Sequence, residues 1–293
     1  MTLLHMRLAL ATLIAGTCVS LAAVQDEVKP STPAEQFQAL QKEFGQAAYS
    51  YFQSTNDADR KQITDRVDKV ASKCLEIVDK NPDEPFSLDA MVAVVTQDYW
   101  LDNYTRHPGL GKESRQAKAI ALILDHHLQS DKLAEACKRV AFGFRQECET
   151  FLRTVLEKNP HHEVQGNACL RLAQYLVNRL DRLDSIKGQP ELASRYELLF
   201  GRDYIERLRR QDRAEVMKEA EGFYERAAEQ YSDVKMTYGE IVGEQAKTEL
   251  YELRYLAVGK QAQEMEGEDQ DAKSFKLSDY RGKVVLLYFW SEF

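Results

Sequence analysis

From Phe37 to Val258 the apolar residues of this chain return at steps of three and four, and Asn-Pro pairs interrupt the pattern at Asn81-Pro82 and Asn159-Pro160. That period places them on one stripe of an α-helix, and such a stripe is buried only against other helices. Pro82 and Pro160 lack the N–H that a helical ladder needs, so each pair is a helix stop. The chain therefore reads as mainly α. The 14 Gly and 7 Pro among 293 residues, with 29% charged residues, agree with helices and argue against a turn-rich all-β fold.

Segment by segment, Ser31 or Thr32 can cap a first helix that takes Pro33 and Glu35 into its first turn and carries Phe37, Leu40, Phe44, Ala47, Ala48 and Tyr51 on one face. A second helix runs from about Ala58 to Lys80, and a third resumes after Pro85 through Phe86, Leu88, Met91, Val92 and Val95. Tyr99 to Tyr104 followed by His107 to Gly111 reads as a break or loop. Further helices are expected over 117–129, 132–144, 147–158 and 166–180, with a charged stretch at 182–195 around a Lys187 to Pro190 turn. Two more close the series, over 202–231 and 241–258.

An internal echo runs through this region. Lys80-Asn81-Pro82 returns as Lys158-Asn159-Pro160 at an offset of 78 residues, Ala90 returns as Ala168, and Glu229 to Ser232 with Ala246 forms a looser third copy. Twice a unit of about 39 residues is near the period of helix-pair solenoids. The expected fold is a helical array or bundle, an array taking the form of TPR-like helix pairs.

The amino terminus has another composition. Met1 to Arg7 has no acid, Leu8 to Ile14 is apolar, and Gly16 to Ala23 holds small residues. That order is a secretory signal peptide, cleaved after Ala22 or Ala23, and it implies export to the periplasm or cell envelope. Membrane contact is expected only through this segment. Without residues 1–23 the formal charge moves from −8 to −9, which excludes an electrostatic footprint for nucleic acid. Residues 24–33 read as a linker.

Four cysteines remain: Cys74, Cys137, Cys148 and Cys169. None forms Cys-x-x-Cys. On one continuous helix Cys137 and Cys148 would stand about 16 Å apart, and Gly143 is the one candidate for a break. Cys148 with Cys169 is geometrically easier, but buried core thiols are the better account. His126-His127 and His161-His162 could build a metal site only with one histidine from each pair plus an acid such as Glu163. Turn and surface histidines explain them better. Tyr99-Trp100 reads as a core anchor rather than an exposed contact, and Arg207 to Arg210 as a solvated helix face. No catalytic, cofactor-binding or metal-ligating residue is assigned within the chain, and no cofactor is expected.

The last 35 residues change character. Gly259-Lys-Gln-Ala262 precedes Met265-Glu-Gly-Glu268, then Phe275-Lys-Leu-Ser-Asp-Tyr-Arg-Gly-Lys283, then the apolar run Val284 to Trp290. Phe275 and Leu277 alternate around Lys276 as in a hairpin strand. Ser278-Asp279 and Arg281-Gly282 supply turn chemistry, and the apolar run reads as a buried central strand. This order resembles the opening of the thioredoxin-like domain in TlpA-like and AhpC/TSA (redoxin) thiol–disulfide oxidoreductases. Gln263 stands where that family usually has Pro, Ala272 where the turn usually has Gly, and Phe293 where it has Trp.

The resemblance implies a Cys-x-x-Cys at a helix start just after the position of Phe293, with a thiolate stabilised there. This chain stops before it. The expected domains are then 1–23 signal peptide, 24–33 linker, 34–258 all-helical and 259–293 an incomplete thioredoxin-like domain. Val284 to Trp290 is expected to be poorly buried for want of neighbouring strands. The function implied is an exported thiol–disulfide oxidoreductase or antioxidant acting on protein disulfides or thiols at full length, and inactive over these residues. The alternative is a helical-repeat scaffold for a protein partner in the envelope, with a vestigial redoxin segment.

Overall fold

A computed structural model describes residues 32–104, 114–236 and 239–288. Among these are eleven α-helices followed by a two-stranded hairpin, as the sequence predicts: mainly α, then the start of a thioredoxin-like unit. The expected signal segment and His107 to Gly111 lie outside the described residues.

Helix α1 spans Pro33–Gln53 and α2 Asp57–Lys80. Thr32 provides the first cap. Its Oγ1 accepts from the Glu35 N–H at 3.2 Å, while Glu35 Oε2 accepts from the Thr32 N–H at 3.0 Å. Asn56 caps α2 by accepting from the Asp59 N–H at 2.8 Å. The predicted stripe of α1 buries Phe37, Leu40 and Ala47.

Helix α3 runs over Ser87–Tyr104, so the expected break at Tyr99 is absent. Burial is the reason. Trp100 and Leu101 pack with Ala47 of α1 and Val67 of α2, and Trp100 meets Tyr51 edge-on at 5.0 Å. Ending the helix there would leave buried backbone groups unpaired.

Helices α4 (Arg115–His126), α5 (Leu133–Val140) and α6 (Gln146–Lys158) lie close to expectation. Helix α7 covers His162–Ile186, about a turn longer at each end than its stripe suggests. Asn159 accepts from the His161 N–H at 2.9 Å at the start, and Leu183 and Ile186 are buried at the end. Helix α8 (Pro190–Phe200) occupies part of the charged stretch, opening on a first-turn proline and burying Leu199.

The single helix expected over 202–231 is two, α9 (Arg202–Arg209) and α10 (Arg213–Gln230). Asp212 restarts the helix by accepting from the Ala214 N–H at 2.8 Å. Helix α11 (Val242–Tyr251) passes into a wider π-type turn at Glu252–Leu256.

One apolar core extends from Phe37 to Ala246. Asn81 lies between α2 and α3, Asn159 between α6 and α7, and Tyr231 between α10 and α11, each a pair of packed helices. Ala90, Ala168 and Ala246, in the second helix of each pair, are fully buried. The two asparagines bond differently. Asn81 Nδ2 donates back to the Ile77 carbonyl, whereas Asn159 Nδ2 reaches the Leu128 and Ser130 carbonyls between α4 and α5.

Candidate functional site

The segment after α11 is built by local hydrogen bonds rather than by burial. No described residue beyond Ala246 is buried. Strand β1 (Glu266–Glu268) pairs antiparallel with β2 (Ser274–Lys276), Gly267 opposite Phe275, and Lys276 Nζ pairs with the Glu266 carboxylate. Asp269 organises the connecting turn, its Oδ1 accepting from the N–H groups of Asp271 (2.9 Å) and Lys273 (3.0 Å).

Ala272 in that turn has φ 57°. A side chain in the left-handed region is strained, which explains why Gly is usual at this position. Ala272→Gly should stabilise the hairpin by about 0.5–1 kcal/mol. Amide exchange at Asp269 and Leu277, which donate to the Lys273 and Met265 carbonyls, reads this directly. Slowing of about two- to fivefold is expected, and faster exchange would contradict the strain.

A single 3₁₀ turn, Leu277–Tyr280, follows, with Asp279 Oδ2 accepting from the Lys276 N–H at 2.9 Å. Gly282 has φ 83°, a value that favours glycine, and turns the chain toward the apolar run. Val284 to Tyr288 do not form a strand. They are exposed, Val284 at 104% and Leu286 at 92%, as expected for a strand without neighbours. Phe289 and Trp290 lie outside the described residues.

All four described cysteines are free and buried. Burial pushes the Cys74 thiol up to about 11 and those of Cys137, Cys148 and Cys169 up to about 12. Neutral thiols of this kind are poor nucleophiles at pH 7. The helix does break between Cys137 and Cys148, over residues 141–145, and the two cysteines remain unbonded. Gly143 sits against Cys148, where an added Cβ would fall 2.3 Å from its Sγ.

The histidines separate to different partners. His126 Nδ1 lies 2.8 Å from Asp83 Oδ1, His127 Nε2 2.8 Å from the Pro82 carbonyl, and His161 Nε2 3.1 Å from the Gln129 carbonyl. His162 Nε2 lies 3.0 Å from Asp233 Oδ1. Among the described residues no cluster has the donor set of a metal site. Tyr99-Trp100 divides, with Trp100 in the core and Tyr99 half-buried, 6.1 Å from the Phe142 ring. Arg207, Arg209 and Arg210 bond to Gln146, Glu197 and Glu206, a solvated polar face.

Helix packing also creates a feature that sequence reading missed. A groove of about 860 Å³ runs along α7 between α10 and α11 and ends on Leu256, Ala257 and Val258. In its floor Glu249 accepts from Gln174 Nε2 (2.6 Å), Gln245 Nε2 (2.6 Å) and the Tyr224 hydroxyl (2.7 Å). Burial and the Glu249 carboxylate push the Tyr224 hydroxyl well above its ordinary range, so it stays a donor. These residues come from three helices and leave no local signature.

The AhpC/TSA family profile matches residues 258–293. This agrees with the hairpin and turn geometry and makes the C-terminal segment redoxin-like, of the thioredoxin-like class. No curated protein matches the chain, and no solved structure does.

Proposed function

We propose that this chain belongs to an exported, TlpA-like thiol–disulfide oxidoreductase. Residues 1–23 would act as signal peptide, 24–33 as linker, 34–258 as a helical domain and 259–293 as the beginning of the catalytic domain. The observation that carries the reading is the redoxin profile match over 258–293, supported by the hairpin, 3₁₀ turn and Gly282 in the order this family uses. The helical domain stands directly before that segment and would hold a polypeptide client near it. Among the described residues no helix is long and apolar enough to cross a membrane.

Chemistry of this class needs a Cys-x-x-Cys, and the 293 residues contain none. The four described cysteines are buried and protonated, so they cannot substitute. We therefore expect the 293-residue polypeptide to give no dithiothreitol-dependent reduction of insulin above the uncatalysed rate. Turnover in that assay would overturn this account of the thiols. Periplasmic fractionation of the expressed chain, with sequencing of its new amino terminus near Val24, tests export. A cytoplasmic, unprocessed product would refute it.

A further inference from the structure

The groove along α7 has a chemistry that its own residues leave incomplete. Arg171 lines it and is 93% buried, at 7% relative exposure. Among the described residues no carboxylate stands within ion-pair distance of it, in contrast to the buried Arg115 and Arg179. Its Nη1 donates to Gln174 Oε1 at 2.7 Å. The opposite edge of the guanidinium is poorly used, since Nη2 meets only the Met236 sulfur at 3.6 Å and Nε bonds to nothing. A thioether is a weak acceptor, and the Nε–Nη2 edge is the fork that a carboxylate fits with two parallel bonds.

A second polar atom is also unused. Gln245 Oε1 is buried without a hydrogen-bond donor, while its Nε2 is fixed on Glu249. Behind the groove surface stand a donor pair without an anion and an acceptor without an N–H, both covered by protein. Val177, Met217, Leu253 and Leu256 give its walls apolar stretches, while Asp181, Asp184, Glu249 and Glu252 place carboxylates in the same lining. Buried polar groups left unpaired are costly, and a ligand that pairs them recovers that cost.

We propose that this groove binds the carboxylate of an acylated α-amino acid, as carried by a free N-acyl amino acid or by the end of a polypeptide. Arg171 takes the carboxylate on its Nε–Nη2 edge in place of the Met236 sulfur. Gln245 Oε1 accepts from the adjacent amide N–H, and the side chain packs on Met217 and Leu253. Both polar atoms are covered in the free protein, so binding includes a turn of these two side chains toward the groove. From Arg171 to Asp184 the helix is about 20 Å long, the span of roughly six extended residues. The site is independent of any thiol chemistry, so its failure would leave the redoxin reading untouched.

The test uses the whole chain after the signal segment, with glutamine side-chain amides labelled for NMR. N-acetyl-leucine and a pooled hexapeptide library with free carboxyl termini are titrated to about 10 mM, a range that detects millimolar Kd. Shifts at Gln174 and Gln245 are expected, and amidated forms of the same probes should bind at least tenfold more weakly. Hexapeptides binding tenfold tighter than N-acetyl-leucine would identify the source as a polypeptide end, and equal affinity a free acid. Arg171→Met should abolish the preference for acid over amide, while Arg171→Lys, which retains the charge if Met disturbs folding, should keep part of it. No shift at any concentration, or equal binding of acid and amide, would overturn the proposal.

Discussion

Arg115→Ala should cost about 3–5 kcal/mol of folding stability at pH 7. The side chain is 7% exposed and ties three helices together. Its Nε and Nη2 lie 2.9 Å from Asp98 Oδ1 on α3, and Nη1 lies 2.9 Å from Asp68 Oδ1 and 2.8 Å from Ser72 Oγ on α2. Asp98 is held further by the Gln116 N–H at the start of α4, which donates to Oδ2 at 2.9 Å. Burial pushes the Asp98 pKa up, and the Arg115 guanidinium opposes that rise.

Removing the arginine therefore leaves a buried carboxylate without its counter-charge, the costly way to break such a pair. The melting temperature should fall by roughly 6–20 °C. Arg115→Met with Asp98→Leu removes both charges of the more buried pair and should recover most of the loss. A drop of under about 1 kcal/mol for Arg115→Ala would show that water reaches this cluster and screens it.

The limits of the sequence follow from the same geometry. Thr32, Asn56 and Asn81 act through bonds to residues a few positions away, as Asn159 does through its Oδ1 on the His161 N–H, so the helix starts and stops they set are visible in a string of letters. Trp100 is not of that kind. It continues α3 because it fills a space made by α1 and α2, which no local window contains. Helix α8 stays hidden because Leu199 is its one fully buried side chain, too little for a stripe. The C-terminal segment is the opposite case, since Asp269, Asp279 and Gly282 write its turns locally and the motif is legible in order. Its apolar run is legible as a strand, yet a strand forms only against a neighbour, and Val284 to Tyr288 have none among the described residues. Arg171, Gln174, Tyr224 and Glu249 meet only when α7, α10 and α11 pack, which is why the groove could not be foreseen.

Asp102→Asn is expected to stabilise the protein at pH 7 by up to about 3 kcal/mol and to change little at pH 4. Asp102 stands one turn after Asp98 on α3, with its side chain 15% exposed and Arg145 Nη2 3.7 Å from Oδ2. Burial pushes its pKa up to about 6, Arg145 opposes the rise, Asp98 adds to it, and Arg195 and Arg115 lower it slightly. The Arg195 guanidinium is also turned to the Asp102 carbonyl, at 2.5 Å. A carboxyl whose folded pKa lies above its unfolded value of about 4 binds more protons when folded. Stability then falls as pH rises from about 4 through about 6, and the full penalty is present at pH 7. Asparagine keeps the shape without the charge, so the penalty should vanish in the variant. Asp98 contributes a pH dependence of the same sign, which makes the difference between wild type and Asp102→Asn the quantity to measure. Urea midpoints at pH 4, 5, 6 and 7 give it, and the gap between the two proteins should open across this range. A variant that is less stable than wild type at pH 7 would mean that the Asp102 charge, held by Arg145, contributes more than its burial costs.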